Sequence, residues 1–212
     1  MFEIEYKGGN SVVISSKSAS IVIDPVRSIF GLDDIFIKDS IEIATESDFS
    51  AGNTDARVLI EGPGEYETAE FSILGISVDQ YGDKLTNNKK STIYRIIIGE
   101  IRIGVIGNIA PAITTDQLES FGLIDVLILP IGGGSYTLDA KLASTVVRQI
   151  DPKVVIPTHY ADASIDYPIE QDGIDEFIKE LNVSVETVNK YKIKSQMNIP
   201  SSLTIIELTR TN

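Results

Sequence analysis

A polar loop directly after a short apolar run holds the first residues that could do chemistry. Residues 44–53 read ATESDFSAGN, and the preceding run at 41–43 predicts a short strand. Glu46 and Asp48 place two carboxylates just past the end of that strand, where many α/β enzymes place metal ligands or catalytic groups. The loop contains no histidine and no cysteine. A metal site, the remains of one and an ordinary polar turn therefore all stay open.

His159 is the only histidine of the chain, and the chain has no cysteine. Imidazole is the commonest metal ligand and general base, so a single histidine limits both kinds of chemistry. Without cysteine there is no thiolate metal site, no thiol nucleophile and no disulfide. Ser135 and His159 suggest a hydrolase dyad, but no G-x-S-x-G sequence surrounds this serine. The glycines at 132–134 lack the rest of a phosphate-binding motif and predict a tight strand-to-helix turn.

The chain is acidic, because 18 Lys and Arg against 31 Asp and Glu give 212 residues a net charge of −13. Such a surface repels nucleic acid, and the densest basic cluster is only Lys89-Lys90. No apolar run approaches the ~18 residues of a membrane span. The acidic, alternating start MFEIEYKGGN is not typical of a signal peptide. We therefore expect a cytoplasmic protein with neither nucleic-acid nor membrane partners.

Short strands separated by turn residues dominate the first half of the chain. These runs, rich in β-branched residues, lie at 2–6, 11–15, 20–24, 57–61, 71–78, 92–99 and 101–107. Only Glu100 separates Gly99 from Ile101, so the last two strands should form a tight hairpin. A further run of this kind, at 202–208, predicts a final strand.

Two continuous apolar runs mark the second half, at 125–130 and 153–159. Uninterrupted apolar character is typical of strands that are buried on both faces. Apolar residues recur every four positions between these runs and predict a helix with one apolar stripe, formed by Leu138, Leu142, Val146 and Ile150. This helix should stop before Pro152. A crossover of helix length predicts that the two strands are central neighbours in one sheet.

Two further helices are expected on the outside of the sheets. Thr114-Thr115 are typical of the cap of a short helix that ends at Gly122. Residues 169–181 predict a third helix, whose inward residues are Ile174, Phe177, Ile178 and Leu181. No long linker or low-complexity tract divides the chain. One domain over residues 1–212, with one sheet from each half and outer helices, is the simplest arrangement.

Four segments in this order resemble the metallo-β-lactamase superfamily: IVIDP (21–25), IEGPGEYE (60–67), LPIGGGSYTLDA (129–140) and PKVVIPTHY (152–160). Within it, the chain is similar to the short prokaryotic Zn-dependent hydrolases akin to L-ascorbate-6-phosphate lactonase. The resemblance covers nearly the whole chain. It implies an α/β fold, a four-layer αββα sandwich, with the active site at one edge between two sheets. The GPGEYE turn is structural in this comparison.

The resemblance also implies where metal ligands would lie. In the superfamily, the loop after the fourth strand carries T-H-x-H-x-D-H and supplies ligands to two metal ions. Thr45 matches the threonine of that motif, whereas the four ligand positions hold Glu46, Asp48, Ser50 and Ala51. Ser50 and Ala51 remove the second metal's ligands from this loop.

Other ligand positions are also changed. Gln80 stands where a further histidine is usual, Asn108 stands in place of the bridging aspartate, and the early G-H pair reads Gly8-Gly9. Only His159 is retained. A two-zinc centre needs several imidazoles and a bridging carboxylate to activate a water molecule. The resemblance therefore implies an altered pocket, with these residues around it: Glu46, Asp48, Gln80, Asn108 and His159.

Three functions remain open from the sequence. The preferred one is a non-catalytic scaffold or binding member of the superfamily, without a cofactor. The second is a hydrolase of a lactone, amide or phosphoester that holds a divalent metal (Zn, Mn or Mg) at low occupancy, through Glu46, Asp48, Asn108 and His159. The third is a small-molecule sensor that uses the altered pocket. A homo-oligomer, most simply a closed dimer, is also expected.

Overall fold

The computed structural model describes residues 1–82, 89–134 and 136–211, so Ser135 lies outside the described residues. Its strands form two sheets. The first sheet has six strands: β1 (Phe2–Gly8), β2 (Ser11–Ser15), β3 (Ser20–Ile23), β4 (Ile41–Ile43), β5 (Val58–Ile60) and β13 (Tyr191–Ile193). Their spatial order is β13-β1-β2-β3-β4-β5. The pairs from β13 to β3 are antiparallel, and β3, β4 and β5 are parallel.

The second sheet has eight strands: β6 (Gly64–Thr68), β7 (Phe71–Asp79), β8 (Lys90–Ile98), β9 (Ile101–Val105), β10 (Val126–Pro130), β11 (Val154–Thr158), β12 (Ser184–Val188) and β14 (Thr204–Leu208). Their spatial order is β12-β14-β11-β10-β9-β8-β7-β6. The strands from β12 to β9 are parallel, whereas β6, β7, β8 and β9 form an antiparallel ladder.

The described residues contain three α-helices: α1 (Thr115–Phe121), α2 (Ala140–Ile150) and α3 (Ile174–Leu181). Thr114 and Gln117 form a reciprocal capping box at α1, which is the predicted start of that helix. All three helices contribute to one apolar cluster with the eight-stranded sheet. The connections from β3 to β5 hold only short 3-10 turns, at Ser28–Phe30 and Ser47–Phe49. None of the helices in the described ranges is long and apolar enough to span a membrane.

Two apolar cores hold these layers together. The first lies between the sheets and joins residues such as Ile14 and Ile43 to Ile96 and Ile156 of the opposite sheet. The second lies between the eight-stranded sheet and the helices, with Leu127 and Val155 facing α2 and α3. Alternate residues of β10 and β11 therefore point into different cores, which explains their continuous apolar sequences. The two packed sheets, with the helices on the outer face of the eight-stranded sheet, confirm the predicted α/β sandwich class.

The central strands confirm one prediction, and the division between the sheets corrects another. β10 and β11 are parallel neighbours, with Val126 opposite Val154, and α2 connects them. The prediction of one sheet from each half is wrong, because β6 to β9 belong to the eight-stranded sheet and β13 returns to the six-stranded one. A strand's alternating pattern shows that one face is buried, but it does not show which sheet the strand joins.

Two predicted helices are placed differently in the structure. In α2, Leu142 is only half-buried, whereas Ala143 and Val147 are fully buried, so the inward face is rotated by about one residue. The helix predicted from residue 169 begins at Ile174. Residues 169–173 have no regular secondary structure, and the Asp172 backbone N–H donates to the Gly132 carbonyl at 2.7 Å instead of to a helical partner. Gln171, which lies in this non-helical segment, lines a cavity of the candidate site.

Candidate functional site

The ends of several strands bring a group of polar side chains together between the two sheets. Glu46 follows β4, Gln80 follows β7, Asn108 follows β9 and His159 follows β11 directly. Asn10, in the turn between β1 and β2, joins them. We call these five residues the polar cluster. All of them except Gln80 are buried.

Side-chain hydrogen bonds link the polar cluster internally. Asn10 Nδ2 donates to Asn108 Oδ1 at 3.1 Å, and His159 Nδ1 lies 2.8 Å from Asn10 Oδ1. Gln80 Nε2 donates to Glu46 Oε2. Because Asn10 Oδ1 can only accept, His159 Nδ1 must carry the proton, which leaves Nε2 as the acceptor nitrogen of a neutral ring. Asn10 thus bridges His159 and Asn108, and Gln80 pairs with Glu46.

His159 is held rigidly at the centre of the site. Its φ of 48° is in the left-handed region, and its backbone N–H donates to the Gly9 carbonyl at 2.9 Å. The side chain is 1% exposed, and this burial lowers the pKa of His159 to about 3. The ring is therefore neutral at pH 7, and it can accept or donate hydrogen bonds without carrying a charge.

Glu46 is the least satisfied member of the polar cluster. Burial raises the pKa of its carboxyl to about 7, an effect that the amides of Gln80 and Asn108 partly offset. The amide of Asn108 lies near the Glu46 carboxyl and lowers its pKa. Even so, Glu46 Oε1 and Asn108 Nδ2 each lack a well-formed hydrogen bond among the described residues. A buried polar atom without a partner costs on the order of 1–3 kcal/mol. The carboxyl of Glu46 therefore ionises less readily than that of an exposed glutamate.

A second buried carboxyl, Asp24, fixes the start of the polar loop. Thr45 donates to Asp24 twice, from its backbone N–H to Oδ1 and from its hydroxyl to Oδ2, both at 2.7 Å. The Thr45 carbonyl in turn accepts from the Thr92 backbone N–H at 2.8 Å, which ties the loop to β8. Burial raises the pKa of Asp24 to about 8, and the nearby charge of Glu46 contributes in the same direction. Glu46 is thus oriented by a buried anchor.

The remaining residues of the polar loop do not join the cluster. The Asp48 side chain is 76% exposed and lies 3.9 Å from the ammonium group of Lys89. Ser50 and Ala51 turn towards Glu42, whose carboxylate accepts from the Ser50 hydroxyl at 3.0 Å and from the Ala51 backbone N–H at 2.8 Å. The backbone N–H groups of residues 52 and 53 also donate to Glu42. The loop is therefore folded around a structural carboxylate.

An aromatic cavity of about 90 Å³ opens on the other side of His159. Three rings contact the imidazole: Tyr167 is stacked on it at 4.9 Å between ring centroids, Phe30 meets it edge-on at 5.2 Å, and Tyr136 lies at 5.5 Å. Gln171 completes the inner wall, and its Oε1 atom is buried without a hydrogen-bond partner in the part of the chain that the structure describes. We refer to this space as the aromatic cavity.

Sequence reasoning missed Asn10, Glu42 and Gln171. Asn10 follows two glycines in a turn, and nothing in its sequence context indicates that it bridges His159 and Asn108. Glu42 has a detectable signal, because a carboxylate inside the run IEI is unusual for a buried strand. Gln171 lies in a segment that was predicted to be helical. Phe30, Tyr136 and Tyr167 come from separate loops, so only the fold brings them together.

The donor set does not fit a two-zinc centre. Such a centre needs several neutral imidazoles and a bridging carboxylate. Here one imidazole, one buried carboxyl with a raised pKa and two neutral amides stand at the positions that the resemblance assigns to ligands, and Asp48 is exposed to solvent. No group of three or more His, Cys, Asp or Glu side chains that could hold a metal ion is found within the described ranges. Neutral amides are weak zinc ligands, and they already hydrogen-bond to other side chains, so these residues do not match the ligand set of a two-zinc centre.

Comparison with proteins of known structure places the chain in a larger group. A protein assigned to the Zn-dependent hydrolases of the metallo-β-lactamase superfamily, from Thermotoga maritima, superimposes with a TM-score of 0.77 at 21% identity, covering 99% of this chain and 100% of that one. Igni18, a metallo hydrolase from Ignicoccus hospitalis, gives a TM-score of 0.62 at 16% identity, covering 85% and 90%. These identities show a shared fold.

Sequence comparison gives the same grouping. A UPF0173 protein of Pyrococcus furiosus is 38% identical over 88 residues, a stretch that covers 41% of this chain and 37% of that protein. The sequence profile of the Beta-lactamase superfamily domain matches residues 3–159, which include every member of the polar cluster. The chain therefore belongs to the beta-lactamase superfamily.

Proposed function

We propose that this chain is a non-catalytic, ligand-binding member of the beta-lactamase superfamily. The observation that carries this proposal is the hydrogen-bonded chain from His159 through Asn10 to Asn108, with Gln80 on Glu46. Hydrolysis by the superfamily's two-metal route requires lone pairs that converge on cations. In this protein most of the positions that the resemblance assigns to ligands hold neutral side chains, and the hydrogen bonds of these side chains go to protein groups.

The remaining acid and base groups are poorly suited to hydrolysis without a metal. A general base must reach a water molecule or nucleophile, with a pKa near the working pH. The pKa of His159 is lowered to about 3 by burial, so the ring is a weak base. Glu46 has a suitable pKa of about 7, but Gln80 covers one of its oxygens. Binding, which needs no proton transfer, is the function that these groups support best.

A substrate panel tests this proposal. The purified chain is incubated with an aryl lactone, an anilide and an aryl phosphodiester, each with added Zn²⁺, Mn²⁺ or Mg²⁺. We expect rates that equal those of buffer with the same metal, and no change for His159→Ala. Turnover that disappears both with a chelator and in His159→Ala would contradict the proposal.

The unpartnered Oε1 of Glu46 supports a second candidate, a divergent metal-dependent hydrolase. A hard cation accepts carboxylate and amide oxygens, and Glu46 and Asn108 would supply one of each. Glu46→Gln separates the two candidates, because it keeps the shape of the side chain and removes its charge. Loss of Mn²⁺- or Mg²⁺-dependent turnover in this variant would favour the hydrolase. Equal background rates in both proteins support the binding function.

A further inference from the structure

We propose that the aromatic cavity beside His159 binds a small alkylammonium cation, with the alkyl groups against the aromatic rings and the charged nitrogen near Gln171 Oε1. This inference rests on the proposed function, since it names the ligand class that a binding member would take. It is carried by the arrangement of the rings, by an unused buried acceptor and by the distribution of charge.

Three aromatic rings, those of Phe30, Tyr136 and Tyr167, line the cavity. Phe30 and Tyr167 meet at an interplanar angle of 57° with centroids 5.3 Å apart, which makes two walls. Tyr136 forms a third wall, and His159 lies between the three rings. Faces of Phe and Tyr rings carry negative quadrupole charge and attract cations, and quaternary ammonium groups are well-attested ligands of such enclosures.

One residue that lines the cavity, Gln171, has a buried acceptor without a hydrogen-bond partner among the described residues. Gln171 is 8% exposed, and its Nε2 donates to the Ile169 carbonyl at 2.8 Å, which fixes the orientation of the amide. Its Oε1 has no partner among the residues that the structure describes. A buried acceptor left unpaired is costly, and an N–H donor from a ligand would remove that cost.

The surrounding charge has the right sign. Burial and the nearby carboxyl groups raise the pKa of Tyr136 to about 12, so the phenol in this wall is neutral. No Lys or Arg is found among the described residues that line the cavity. Arg210, the cation that acts on Tyr167, is paired with Asp162 at 2.8 Å. A net charge of −13 strengthens the attraction for cations over the whole surface.

The size and the opening of the cavity limit the ligand. Its volume of about 90 Å³ corresponds to roughly three water molecules at ~30 Å³ each, enough for a head group of about five heavy atoms. Ile29 and Ile169, which are 46% and 41% exposed, flank the cavity and leave an apolar entrance. An ammonium group with methyl substituents and an apolar tail therefore fits better than a sugar or a phosphate.

Three probes of similar size test the inference by isothermal titration calorimetry at matched ionic strength. Trimethylammonium carries a positive charge and an N–H, and tetramethylammonium carries the charge alone. tert-Butanol is a neutral molecule of similar size and has no N–H. We expect trimethylammonium to bind with a Kd on the order of 1 mM. Tetramethylammonium should bind a few-fold more weakly, and tert-butanol at least ~10-fold more weakly. Equal binding of tert-butanol and the cations, or no binding of any probe, would overturn the inference.

A pair of variants at one position locates the site. Tyr136→Phe keeps the ring and should bind trimethylammonium within about twofold of the unmodified chain. Tyr136→Leu removes the ring and should weaken binding by roughly 5- to 30-fold. Thermal unfolding of both variants shows whether the fold is retained. Unchanged binding in a folded Tyr136→Leu would place the cation elsewhere and overturn the assignment to this cavity; if that variant does not fold, the three-probe comparison on the unmodified chain still decides the outcome.

The two proposals fail in different ways. Metal-dependent turnover together with preserved trimethylammonium binding would remove the non-catalytic function and leave the cation site. Background rates together with no binding of any ammonium probe would remove the cation site and leave the chain non-catalytic.

Discussion

The two sides of the His159 ring differ in what lines them: hydrogen-bonded polar side chains on one side, and aromatic rings around a cavity on the other. On one side, Nδ1 pairs with Asn10, which pairs with Asn108. On the other, three aromatic rings surround a cavity in which Gln171 Oε1 has no partner within the described ranges. On the polar side, most of the groups are engaged in hydrogen bonds with one another. The cavity that we propose as a ligand site opens on the aromatic side.

This difference follows from the cost of buried polar groups. Imidazoles that lose a metal must find other partners or be replaced, because unpaired buried groups destabilise the fold. The amides of Asn10 and Gln80 provide such partners to His159 and Glu46, since each amide offers both a donor and an acceptor. Aromatic carbon needs no such partners, so the shape of the aromatic cavity can be used for binding.

The largest effect is expected from Gly132→Ala, which disturbs both sides at once. A Cβ at Gly132 would clash with the His159 carbonyl oxygen and with the Gln171 side chain. The loop cannot easily withdraw, because the Gly132 carbonyl accepts from Asp172 at 2.7 Å. We expect the free energy of unfolding to fall by about 3 kcal/mol, measured by urea denaturation.

Gly173→Ala is the matched control for this substitution. A Cβ at Gly173 meets no atom within 4 Å, and its φ of −76° suits any residue. A change of at most about 1 kcal/mol is expected, because Gly173 caps α3 and Ala is a weaker N-cap than Gly. If Gly132→Ala were as mild as the control, the two sides would not be packed against one another as described.

A smaller effect, confined to the polar side, is expected from Asp24→Asn. Burial raises the pKa of Asp24 from 3.8 to about 8, so the folded chain keeps a proton that the unfolded chain has released. The free energy of unfolding therefore falls as the pH rises from 3.8 to about 8, and the stabilisation by the retained proton is lost above the pKa of the folded chain. His159, with its lowered pKa, has the opposite effect only below about pH 6.5.

The pH dependence of urea denaturation checks this prediction. Between pH 7 and 8 the unmodified chain should lose on the order of 1 kcal/mol, and Asp24→Asn, which stays neutral, should lose clearly less. The exposed Asp55 provides a control, because Asp55→Asn should leave the slope unchanged. Identical slopes for Asp24→Asn and the unmodified chain would show that Asp24 is ionised throughout this range.

The smallest effect is expected from Asp48→Ala. The side chain is 76% exposed, and its ion pair with Lys89 at 3.9 Å is open to solvent. Such pairs contribute little, so the free energy of unfolding should change by less than about 0.5 kcal/mol. A loss above about 1 kcal/mol in chemical denaturation would mean that Asp48 belongs to the buried polar cluster after all.

The sequence predicted the framework better than the details of the site. The uninterrupted apolar runs at 125–130 and 153–159 were sufficient to place β10 beside β11, since only a doubly covered sheet tolerates such composition. The family resemblance identified the strand ends that carry Glu46, Gln80, Asn108 and His159. Where each side chain points depends on local packing, which no motif records.

Asp48 and Gln171 illustrate the part that could not be predicted. Residues 47–49 form a 3-10 turn in which Phe49 is buried, and this turn leaves Asp48 on the outside. The sequence pattern near Gln171 favours a helix, but a backbone hydrogen bond from Asp172 to Gly132 ties this irregular segment to the strand-to-helix loop. Both outcomes depend on contacts between residues that are distant in the sequence, so tertiary structure overrides the local pattern.

The most direct test of the central claim is the zinc content of the polar cluster, measured by metal analysis and anomalous scattering from crystals grown with equimolar Zn²⁺. The account predicts no ordered zinc beside His159 and Glu46, because their neighbours are neutral amides that already share hydrogen bonds. His159→Ala, analysed in parallel, should give the same metal content. Near-stoichiometric zinc at the polar cluster that is lost in His159→Ala would contradict the account.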